Sequence, residues 1–362
     1  MKALKTRHGS LQLPAFLPDG TRAVVKGLDS RDLADCGIEA MMVNSLHLAT
    51  RPGTSTVKAV GGVHRFMDWK GIAASDSGGF QAWSMAASGA GLGSVTDKGF
   101  VYRHEKGGKK HLLTPEKCIR RQMELGTDIL FCLDECTHPD EAPDVQRISV
   151  NRTLDWAKQC RDTFVARVGV EPGDSNGSQR PLLFAVVQGG NDPELRRRCA
   201  DGLAEMGFDG FGFGGWPIDD DGLLTDMVAL TAECLPADAP KHALGIGKPE
   251  NLMAAWRAGY LLFDCALPTR NARRKRLYKI LDNDPIHLKN NRFYEHLYME
   301  HEQYSRDQAA LDAALDPQGP SRAYLHHLFK VKDSSAERLA TRHNLKFYAW
   351  MIDKLRAEQA DA

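Results

Sequence analysis

Eight short apolar runs recur along the chain, and helix-length segments separate them. A short apolar run bounded by turn residues is typical of a buried strand, and strands that alternate with helices form parallel sheets. This alternation predicts an α/β fold, a (β/α)8 TIM barrel. The eight runs are residues 15–17, 41–43, 72–74, 129–133, 182–187, 211–213, 243–246 and 261–263.

Three of the helices between these runs begin with a clear signal. It is a proline in the first turn, where the missing N–H costs no hydrogen bond. Pro115, Pro193 and Pro249 predict helices that end near Leu125, Met206 and Ala258. The last predicted helix, about residues 345–357, has an apolar stripe that we expect to pack against the barrel or a partner subunit. The stripe consists of Leu345, Tyr348, Met351, Ile352 and Leu355.

Two regions depart from the alternation of strands and helices. Residues 84–113 begin with an alanine- and glycine-rich stretch, continue with charged residues and predict a hairpin insertion after the third strand. After about residue 277 the eight runs are complete, and the rest predicts a mainly helical C-terminal appendage. We therefore expect a catalytic barrel domain over residues 1–277, which contains the insertion, and a C-terminal subdomain over residues 278–362.

Polar residues or glycines follow every run, where a barrel enzyme places its chemistry. One such strand end is weak evidence of a site, because turn residues end strands in inactive barrels too. Two of the eight ends carry carboxylates of interest: Asp76, before the paired glycines Gly78 and Gly79, and Asp264, before a cluster of cations. Two carboxylates are the minimum for retaining glycosyl chemistry, since one attacks the sugar carbon and the other moves protons.

The charge balance restricts any nucleic-acid surface to a local patch. Lysine plus arginine and aspartate plus glutamate each total 47 in 362 residues. One basic stretch follows the second carboxylate, and it contains Arg270, Arg273, Arg274, Lys275 and Arg276. Such a run is commonly a solvated turn. Its place beside a candidate nucleophile favours phosphate binding instead.

Cysteine usage and hydropathy predict the compartment. The eight cysteines show no paired spacing, which is typical of a reducing compartment. No apolar stretch has the length of a signal peptide core or a membrane span. We therefore expect a cytoplasmic enzyme without a membrane partner.

A series of motifs extends over most of the chain. They are TRHG at 6–9, VHRFMDW at 63–69, SDSGGFQ at 75–81, HLLTPEK at 111–117, LDECT at 133–137, VVQGG at 186–190, FGGW at 213–216, GIGKPE at 245–250, FDCALPTRNAR at 263–273, SRAYLHH at 321–327 and HNLKFY at 343–348. On these motifs the chain resembles the tRNA-guanine transglycosylases, the queuine tRNA-ribosyltransferase family. That family exchanges the wobble guanine of tRNA for a 7-deazaguanine base.

The resemblance implies roles for the strand-end residues. Asp264 would be the nucleophile that forms a covalent bond to the sugar, and Asp76 the general acid and base. Asp134 would accept hydrogen bonds from the guanine edge. Donors to the guanine carbonyl would be Gln188 and the backbone N–H of Gly215.

Further residues would hold the base and the nucleic acid. Phe80 and Leu244 match the pair that sandwiches the purine in the family, and Ser77 and Trp216 lie in the same base-binding motifs. The target nucleotide has to leave its stack, so an anticodon loop is the expected substrate. Two residues match family arginines that contact the neighbouring nucleotides, namely Arg270 and Arg273.

Each assignment has a structural alternative. Asp264 is alternatively a salt-bridge partner of Arg270 or Arg273. Asp76 is alternatively a cap of the Ser-Gly-Gly turn that follows it. Phe80 is alternatively a core residue, the usual place of a lone phenylalanine.

One family feature is missing. Relatives carry a C-x-C-x-x-C zinc site before the SRAYLHH motif, completed by a histidine downstream. His343 occupies the histidine position, but Asp312, Ala314 and Pro317 stand where the cysteines would be. A structural zinc needs four ligands, so we predict no metal and no other cofactor, with His343 as a remnant. A substitute site from His296, His301, His326 and His327 is the weaker alternative, since the first two diverge if they share a helix.

The leading hypothesis is therefore a tRNA-guanine transglycosylase of the queuosine pathway. It would be a pentosyltransferase that acts through a covalent aspartyl-glycosyl intermediate and forms a homodimer. The alternatives are a DNA-directed deazaguanine transglycosylase, a catalytically silent tRNA-binding subunit and an unrelated barrel glycosidase. For the incoming base we expect 7-aminomethyl-7-deazaguanine, because Pro217 leaves the Trp216 carbonyl as the acceptor beside the 7-substituent. Asp220 would support its positive charge, and bulky Ile218 would disfavour queuine.

Overall fold

A computed structural model describes residues 3–87, 92–173, 180–286 and 292–361. The strands in these residues are β1 (Ala3–Thr6), β2 (Gly9–Gln12), β3 (Ala15–Pro18), β4 (Ala40–Val43), β5 (Ile72–Ser75), β6 (Gly93–Thr96), β7 (Gly99–Tyr102), β8 (His111–Leu113), β9 (Ile129–Phe131), β10 (Leu182–Val187), β11 (Gly210–Phe213), β12 (Lys241–Ala243), β13 (Leu262–Cys265), β14 (Arg276–Ile280) and β15 (Tyr294–Tyr298). The helices are α1 (Ser30–Asp35), α2 (Ser45–Thr50), α3 (Thr54–Ala59), α4 (Val63–Met67), α5 (Gly79–Ala87), α6 (Pro115–Leu125), α7 (Pro143–Val168), α8 (Pro193–Met206), α9 (Asp226–Cys234), α10 (Pro249–Arg257), α11 (Leu267–Arg273), α12 (Arg322–Lys330) and α13 (Ser334–Asp361).

Eight parallel strands form the central sheet in the order β3-β13-β12-β11-β10-β9-β5-β4. The two ends of this order meet through a parallel bridge between Asp19 and Met42. There the N–H of Gly20 donates to the carbonyl of Met42 at 2.7 Å, and the N–H of Asn44 donates to the carbonyl of Thr21 at 3.1 Å. The predicted (β/α)8 TIM barrel is confirmed.

Seven of the eight predicted runs overlap a barrel strand over most of their length, and one is displaced. The run 243–246 was expected as a strand, whereas β12 covers Lys241–Ala243. Gly245 has φ +73°, a left-handed conformation that leaves the strand. The strand begins earlier because Lys241 and His242 pair with Phe211 and Gly212 of β11. Lys241 is buried there, and its Nζ donates to the carbonyl of Pro236 at 2.9 Å.

The three helices predicted from prolines are present as α6, α8 and α10. The hydroxyl of Thr114 accepts a hydrogen bond from the N–H of Lys117 at the start of α6. The carboxylate of Asp192 accepts from the N–H groups of Glu194 and Leu195 at the start of α8. Each proline occupies a first turn whose N–H groups lack helical partners, so the local sequence suffices to start these helices.

Large apolar side chains fill the barrel interior below its carboxyl-terminal mouth. They come from alternate positions of the strands and include Leu17, Met42, Ile72, Phe131, Phe184, Val186 and Leu262. The antiparallel pair β1–β2 covers the opposite end with Leu4 and Leu11, which join the same cluster. The interior below the mouth is therefore a packed core.

The insertion after β5 contains an antiparallel sheet with the order β6-β7-β8. It thus has a third strand in addition to the predicted hairpin, because His111–Leu113 pairs with Phe100–Tyr102. The helix α5 extends to Ala87, so the first residues of the predicted insertion are helical. Residues 88–91 of the predicted insertion lie outside the described residues.

The C-terminal region combines the β14–β15 hairpin with α12 and α13. The helix α13 runs over Ser334–Asp361, longer at both ends than the predicted helix. Its apolar stripe packs against the barrel, where Leu345 and Met351 are buried in one cluster with Phe16 and Ile38. The predicted domain boundary at residues 277 and 278 falls inside β14.

The side-chain contacts of α13 also attach it firmly to the barrel. Arg338 donates to Asp32 at 2.7 Å, and Arg342 contacts the same carboxylate. The hydroxyl of Tyr348 donates to the carbonyl of Gly247 at 2.5 Å, below the mouth of the barrel. In the described part of the chain, no helix is both long enough and apolar enough to serve as a bilayer crossing.

Candidate active site

A cavity of about 460 Å³ opens at the carboxyl-terminal ends of the barrel strands. It brings together nine residues predicted for catalysis or base binding. They are Asp76, Ser77, Phe80, Asp134, Gln188, Gly215, Trp216, Leu244 and Asp264. The cavity has the size of a small-molecule site, so the question is what each side chain does there.

Asp264 lies on β13 at the floor of this cavity, with a largely buried carboxylate. Its Oδ1 accepts two hydrogen bonds, from His242 Nε2 at 2.9 Å and from the N–H of Gly245 at 3.1 Å. The alternative ion pair with Arg270 or Arg273 is not formed among the described residues. The carboxylate is therefore held by His242 on the adjacent strand β12 and by the backbone of Gly245 just after that strand, and it lines the cavity.

Asp76 follows β5 and lines the same cavity. Asn44 Nδ2 donates to its Oδ2 at 2.6 Å, and the N–H of Ser45 donates to its Oδ1 at 3.0 Å. Burial raises the pKa of Asp76 to about 7, the Ser45 hydrogen bond opposes this, and the charge of Asp264 adds to it. The N–H of Gly78 in the following turn also lowers the pKa of Asp76, but less than burial raises it.

Asp134 and Gln188 form a pair across the cavity. Gln188 Nε2 donates to Asp134 Oδ2 at 2.6 Å, which fixes the orientation of the amide. Burial raises the pKa of Asp134 to about 6, and the hydrogen bond from Gln188 partly offsets this. Gln188 Oε1 is buried and has no hydrogen-bond partner among the described residues. This pair is a polar edge with unused hydrogen-bonding capacity, and it lines the same cavity as Asp76 and Asp264.

Aromatic side chains form the rim. Phe80 is 53% exposed, so the alternative of a core residue is wrong for it. Its ring lies 5.6 Å from that of Trp83, which meets Trp216 edge to face at 6.3 Å. His138 lies against the other side of Trp216, with ring centroids 5.2 Å apart. The sequence analysis identified Phe80 and Trp216 but missed Trp83 and His138.

Close backbone packing at two glycines after β11 shapes one wall of the cavity. Gly215 has φ +96°, a backbone conformation that residues other than glycine rarely adopt. A Cβ on Gly214 would lie 2.4 Å from Gln188 Nε2, so a side chain there would displace the amide. Glycines at these positions thus allow a flat ligand to lie along the backbone.

Arg196 on α8 supports this wall from behind, and the sequence analysis missed it. It is buried, donates to the carbonyls of Gly190 at 2.8 Å and Gly214 at 3.1 Å, and stacks on Phe213 at 4.2 Å. Burial lowers its pKa to about 10. In the sequence it is one of three consecutive arginines, which is typical of a solvated helix face.

The predicted basic stretch lies outside the cavity. Arg270 and Arg274 are exposed at α11. Two other members have partners within the appendage. Lys275 approaches Glu300 at 3.8 Å, and Arg276 stacks on Tyr298 at 5.1 Å. The fifth member, Arg273, is partly buried.

A second cavity adjoins the first and shares Phe80 and Gln81 with it. Its lining is basic, and the sequence analysis missed it. The cationic or imidazole side chains that line it are Arg22, His47, Arg51 and His104. A polyanion passing over the mouth would meet these groups on one side of the base cavity.

The residues that the resemblance aligns with a zinc site make other contacts in the appendage. His343 is buried, and its Nε2 donates to the carbonyl of Tyr278 at 2.6 Å; burial lowers its pKa. Asp312 accepts from the N–H of Ile280 at 2.6 Å and from that of Ala314 at 2.9 Å. These contacts join the loop before α12 to the hairpin without requiring an ion.

Among the described residues, the four appendage histidines form no group of three ligand atoms that could hold a metal ion. The expectation that His296 and His301 share a helix is wrong, because His296 lies on β15 and His301 precedes a single turn of 3-10 helix. His326 is buried, with Nδ1 2.8 Å from the carbonyl of Met299. His327 is exposed on α12. Among the described residues, the three metal-capable side chains that cluster are His8, His64 and Asp128, at the opposite end of the barrel.

Two carboxylates and a polar edge above a TIM barrel define a candidate glycosyl-transfer site for a flat base. Comparison with known proteins identifies the family. The queuine tRNA-ribosyltransferase family profile matches residues 1–361, and the chain belongs to this family.

Similarity to individual members extends over nearly the whole chain. The chain is 36% identical to the queuine tRNA-ribosyltransferase of Solidesulfovibrio magneticus over 361 residues, 98% of this chain and 88% of that protein. It is 34% identical to the putative queuine tRNA-ribosyltransferase of Archaeoglobus fulgidus over 389 aligned positions, 99% of this chain and 92% of that protein. The corresponding protein of Psychrobacter sp. is 36% identical, with 96% and 86% covered.

Proposed function

We propose that this protein is a tRNA-guanine transglycosylase, a pentosyltransferase that exchanges guanine in tRNA for a 7-deazaguanine base. The proposal rests on the set of residues that line one cavity. A candidate nucleophile, Asp264, and a candidate proton carrier, Asp76, lie with the base-edge pair Asp134 and Gln188. A barrel glycosidase for plain sugars would not need that pair. The names of the relatives support the same activity.

The reaction exchanges a base at C1′ without breaking the phosphate backbone. Asp264 attacks C1′ while the bond to guanine breaks, and Asp76 gives a proton to the departing base. The incoming base then attacks C1′, the ester to Asp264 breaks, and the proton of the new base passes to Asp76. Two displacements at one carbon retain its configuration.

The pKa of Asp76 suits this exchange of protons. At about 7, both protonation states are populated near neutral pH, so one group can act as acid in the first step and as base in the second. The negative charge of Asp264 is one cause of the raised value. Covalent bonding to the sugar removes that charge, and the resulting fall in the pKa of Asp76 accompanies loss of its proton to the leaving base.

The polar edge selects guanine and its relatives. A guanine has an N1–H and an amino group to donate, and the carboxylate of Asp134 accepts both kinds of donor. Gln188 now donates to that carboxylate at 2.6 Å, so a bound base would replace this contact and free the amide for the base carbonyl. Phe80 and Leu244 supply apolar surface for the purine faces, and stacking of this kind contributes about 1–3 kcal/mol per base.

The surface around the mouth supports a nucleic acid as the substrate. Arg270 and Arg274 are exposed on one side, and the second cavity offers Arg22 and Arg51 on another. An unpaired loop can place one base in the cavity while its neighbouring phosphates reach these cations. This arrangement fits the anticodon loop and a place in queuosine synthesis.

We also propose that 7-aminomethyl-7-deazaguanine is the preferred incoming base. Pro217 and Ile218 line the cavity beside Trp216, and proline leaves no N–H for a nitrile. Asp220 is exposed and is not among the lining residues, so the Trp216 carbonyl carries this argument. Competition assays of kcat/KM among the aminomethyl base, the cyano base and queuine test it, and a preference for the cyano base contradicts it.

The assembly we propose is a homodimer. Tyr324 on α12 and Val331 at its end are 53% and 57% exposed, which leaves apolar surface for a second copy. Light scattering coupled to gel filtration measures the mass directly. A monomer across the micromolar range contradicts the proposal.

Base exchange with radiolabelled guanine tests the function. The purified protein is incubated with labelled guanine and either tRNA or duplex DNA, and denaturing gels follow both incorporated label and protein-linked nucleic acid. Label in tRNA together with a denaturation-resistant adduct supports the proposal. Label in DNA alone favours the DNA-directed alternative, and label in neither favours a silent tRNA-binding subunit.

A further inference from the structure

His242 is a fully buried histidine on β12 that no role described so far employs. Its Nε2 lies 2.9 Å from Asp264 Oδ1. The other side of the ring packs edge to face on Phe131, whose ring centroid is 5.3 Å away. The imidazole thus lies beneath the candidate nucleophile, enclosed by the barrel interior.

Hydrogen-bond accounting determines which nitrogen carries the proton. An ionised carboxylate only accepts hydrogen bonds, so Nε2 must donate to Asp264. Nδ1 is buried and has no partner within the described residues. A bare nitrogen acceptor is the less costly atom to leave there, because a proton on Nδ1 would bury an N–H donor without a partner. The arrangement therefore corresponds to a neutral ring with its proton on Nε2.

The two oxygens of Asp264 differ as a consequence. Oδ1 receives both donors, His242 Nε2 and the N–H of Gly245, at 2.9 and 3.1 Å. Oδ2 receives none from the described residues, while Asp264 lines the base cavity. An oxygen that keeps its lone pairs free is the better nucleophile.

We propose that His242 is a positioning residue that directs Asp264 Oδ2 at the sugar and stabilises the carboxylate when it leaves. This inference rests on the proposed role of Asp264 as nucleophile. In the first step an Oδ2 lone pair forms the bond to C1′, and the electron pair of the C1′–base bond leaves with the base, which takes a proton from Asp76. Oδ1 then becomes the ester carbonyl and keeps both hydrogen bonds.

The same donors act in the second step. The incoming base attacks C1′, its proton passes to Asp76, and the C1′–Oδ2 electron pair returns to the carboxylate. Negative charge reappears on Oδ1, where the Nε2–H of His242 and the N–H of Gly245 already point. Donors that are in place before the charge develops need no reorganisation, which is the condition under which such hydrogen bonds accelerate a step.

The test compares His242→Leu, which fills the space without a donor, with His242→Gln, which retains an amide donor. The Leu variant lacks the hydrogen bond to the developing charge, so its kcat should fall about 10- to 100-fold. The Gln variant should recover part of this loss. KM for guanine should stay within about twofold, since His242 is not among the residues that line the base cavity. The rate at which the RNA adduct forms should fall in parallel with kcat.

His343 provides a matched control for the removal of a buried imidazole. It too is buried with one hydrogen bond from Nε2, at 2.6 Å to the carbonyl of Tyr278, but it lies in the appendage. His343→Leu and His343→Gln should lower the melting temperature without changing kcat per folded molecule. If His242→Leu lowers stability like its control and leaves kcat within about twofold, the positioning role is wrong.

Adduct formation and base exchange by the wild-type protein distinguish failure of this inference from failure of the proposed function. If wild type forms an RNA adduct that depends on Asp264 and His242→Leu forms it equally fast, only the inference fails. If wild type forms no adduct and exchanges no base, the proposed function fails and the role of His242 fails with it. A kcat loss in the Leu variant, with the Gln variant between it and wild type and base affinity unchanged, supports the inference.

Discussion

Asp76 directly follows β5 and Asp128 directly precedes β9, so the two carboxylates lie at opposite ends of the parallel barrel. Their environments shift their pKa values in opposite directions. Burial raises the pKa of Asp76 to about 7, and the charges of Asp264 and Asp19 add to the effect. Burial also acts on Asp128, but hydrogen bonds from His64, Ala73 and His8 outweigh it and lower the pKa.

The contacts explain the contrast. Asp128 is fully buried, with His8 Nδ1 at 2.6 Å and the N–H of Ala73 at 2.9 Å as donors. His64 Nε2 lies 3.1 Å from the carboxylate and also 3.1 Å from the carbonyl of Gly71. Asp76 borders a cavity and shares its surroundings with a second carboxylate. At the amino-terminal end of the barrel, the Asp128 carboxylate is fully engaged with its neighbours and joins the segments that carry them. At the other end, Asp76 remains able to take up a proton.

The largest effect we expect is that of Asp264→Asn on catalysis. The amide keeps the shape and can still accept from His242, but it is not a nucleophile, so base exchange should fall by at least about 1,000-fold. RNA affinity and melting temperature should remain near those of wild type. Gel assays for incorporated guanine and for the RNA adduct provide the measurement, and a trapped adduct in this variant would remove Asp264 from its role.

Asp128→Asn should affect the molecule in the opposite way. Removing the charge leaves imidazole and backbone donors around a poorer acceptor, and breaking a buried pair of this kind costs about 3–5 kcal/mol. Urea denaturation should show this loss in the free energy of unfolding, while kcat per folded molecule stays close to wild type. If exchange falls with little change in stability, the two ends of the barrel are not functionally separate.

The dependence of stability on pH should sharpen the comparison. Because the pKa of Asp76 is raised on folding, its contribution to stability is complete below the unfolded pKa, near 4, and is lost as the pH rises through about 7. Relative to Asp76→Asn, wild type should thus lose about 2–4 kcal/mol between about pH 4.5 and about pH 8. Urea denaturation of both proteins across this range measures the difference. A constant difference would mean that the pKa of Asp76 is not raised.

Asp128 should show the converse dependence. Its lowered pKa contributes stability above the unfolded value, and that contribution is lost as the pH falls through the folded pKa. Acid should therefore weaken wild type more than Asp128→Asn, in a range below the one in which Asp76 acts.

The sequence was sufficient to predict the barrel from its apolar runs, and the resemblance to the family supplied most of the cavity lining. Each strand is a short apolar run, and the residue that follows it reaches the mouth, so Asp76 and Asp264 could be assigned from their neighbours in the chain. The displaced strand β12 shows the limit. Lys241 and His242 resemble exposed residues in sequence, and only the surrounding fold buries them.

The site residues that were missed depend on contacts between distant segments. Arg196 belongs to a run of three arginines, and nothing local distinguishes the one that turns inward to Gly214. His242 carried a weak signal, since it is two residues before Leu244 and alternation along a strand places both on one face. The start of α13 was missed because its first turns are polar and are held by ion pairs such as that between Arg338 and Asp32.

The smallest effect we expect is that of metal removal. It tests whether hydrogen bonds, rather than a bound ion, lower the pKa of Asp128. His8, His64 and Asp128 have ligand atoms within 4.8 Å of one another, so a bound ion there would offer another cause for the low pKa of Asp128. The two imidazoles stack with centroids 3.7 Å apart and an angle of 25°, so their lone pairs lie in nearly parallel planes and do not converge on one point. Arg7 adds a cation 3.9 Å from the carboxylate.

Chelation should therefore leave the melting temperature unchanged, within about 1 °C of untreated protein. The remnant His343 does not alter this expectation, because it lacks the three thiolates of a structural zinc site and already donates to Tyr278. Elemental analysis of purified protein is the companion measurement. One zinc per chain that is lost on His8→Ala would assign the ion to the Asp128 cluster, whereas one that is lost only on His343→Ala would place it in the appendage. In the first case the contrast between the two ends of the barrel would reflect a metal rather than hydrogen bonding.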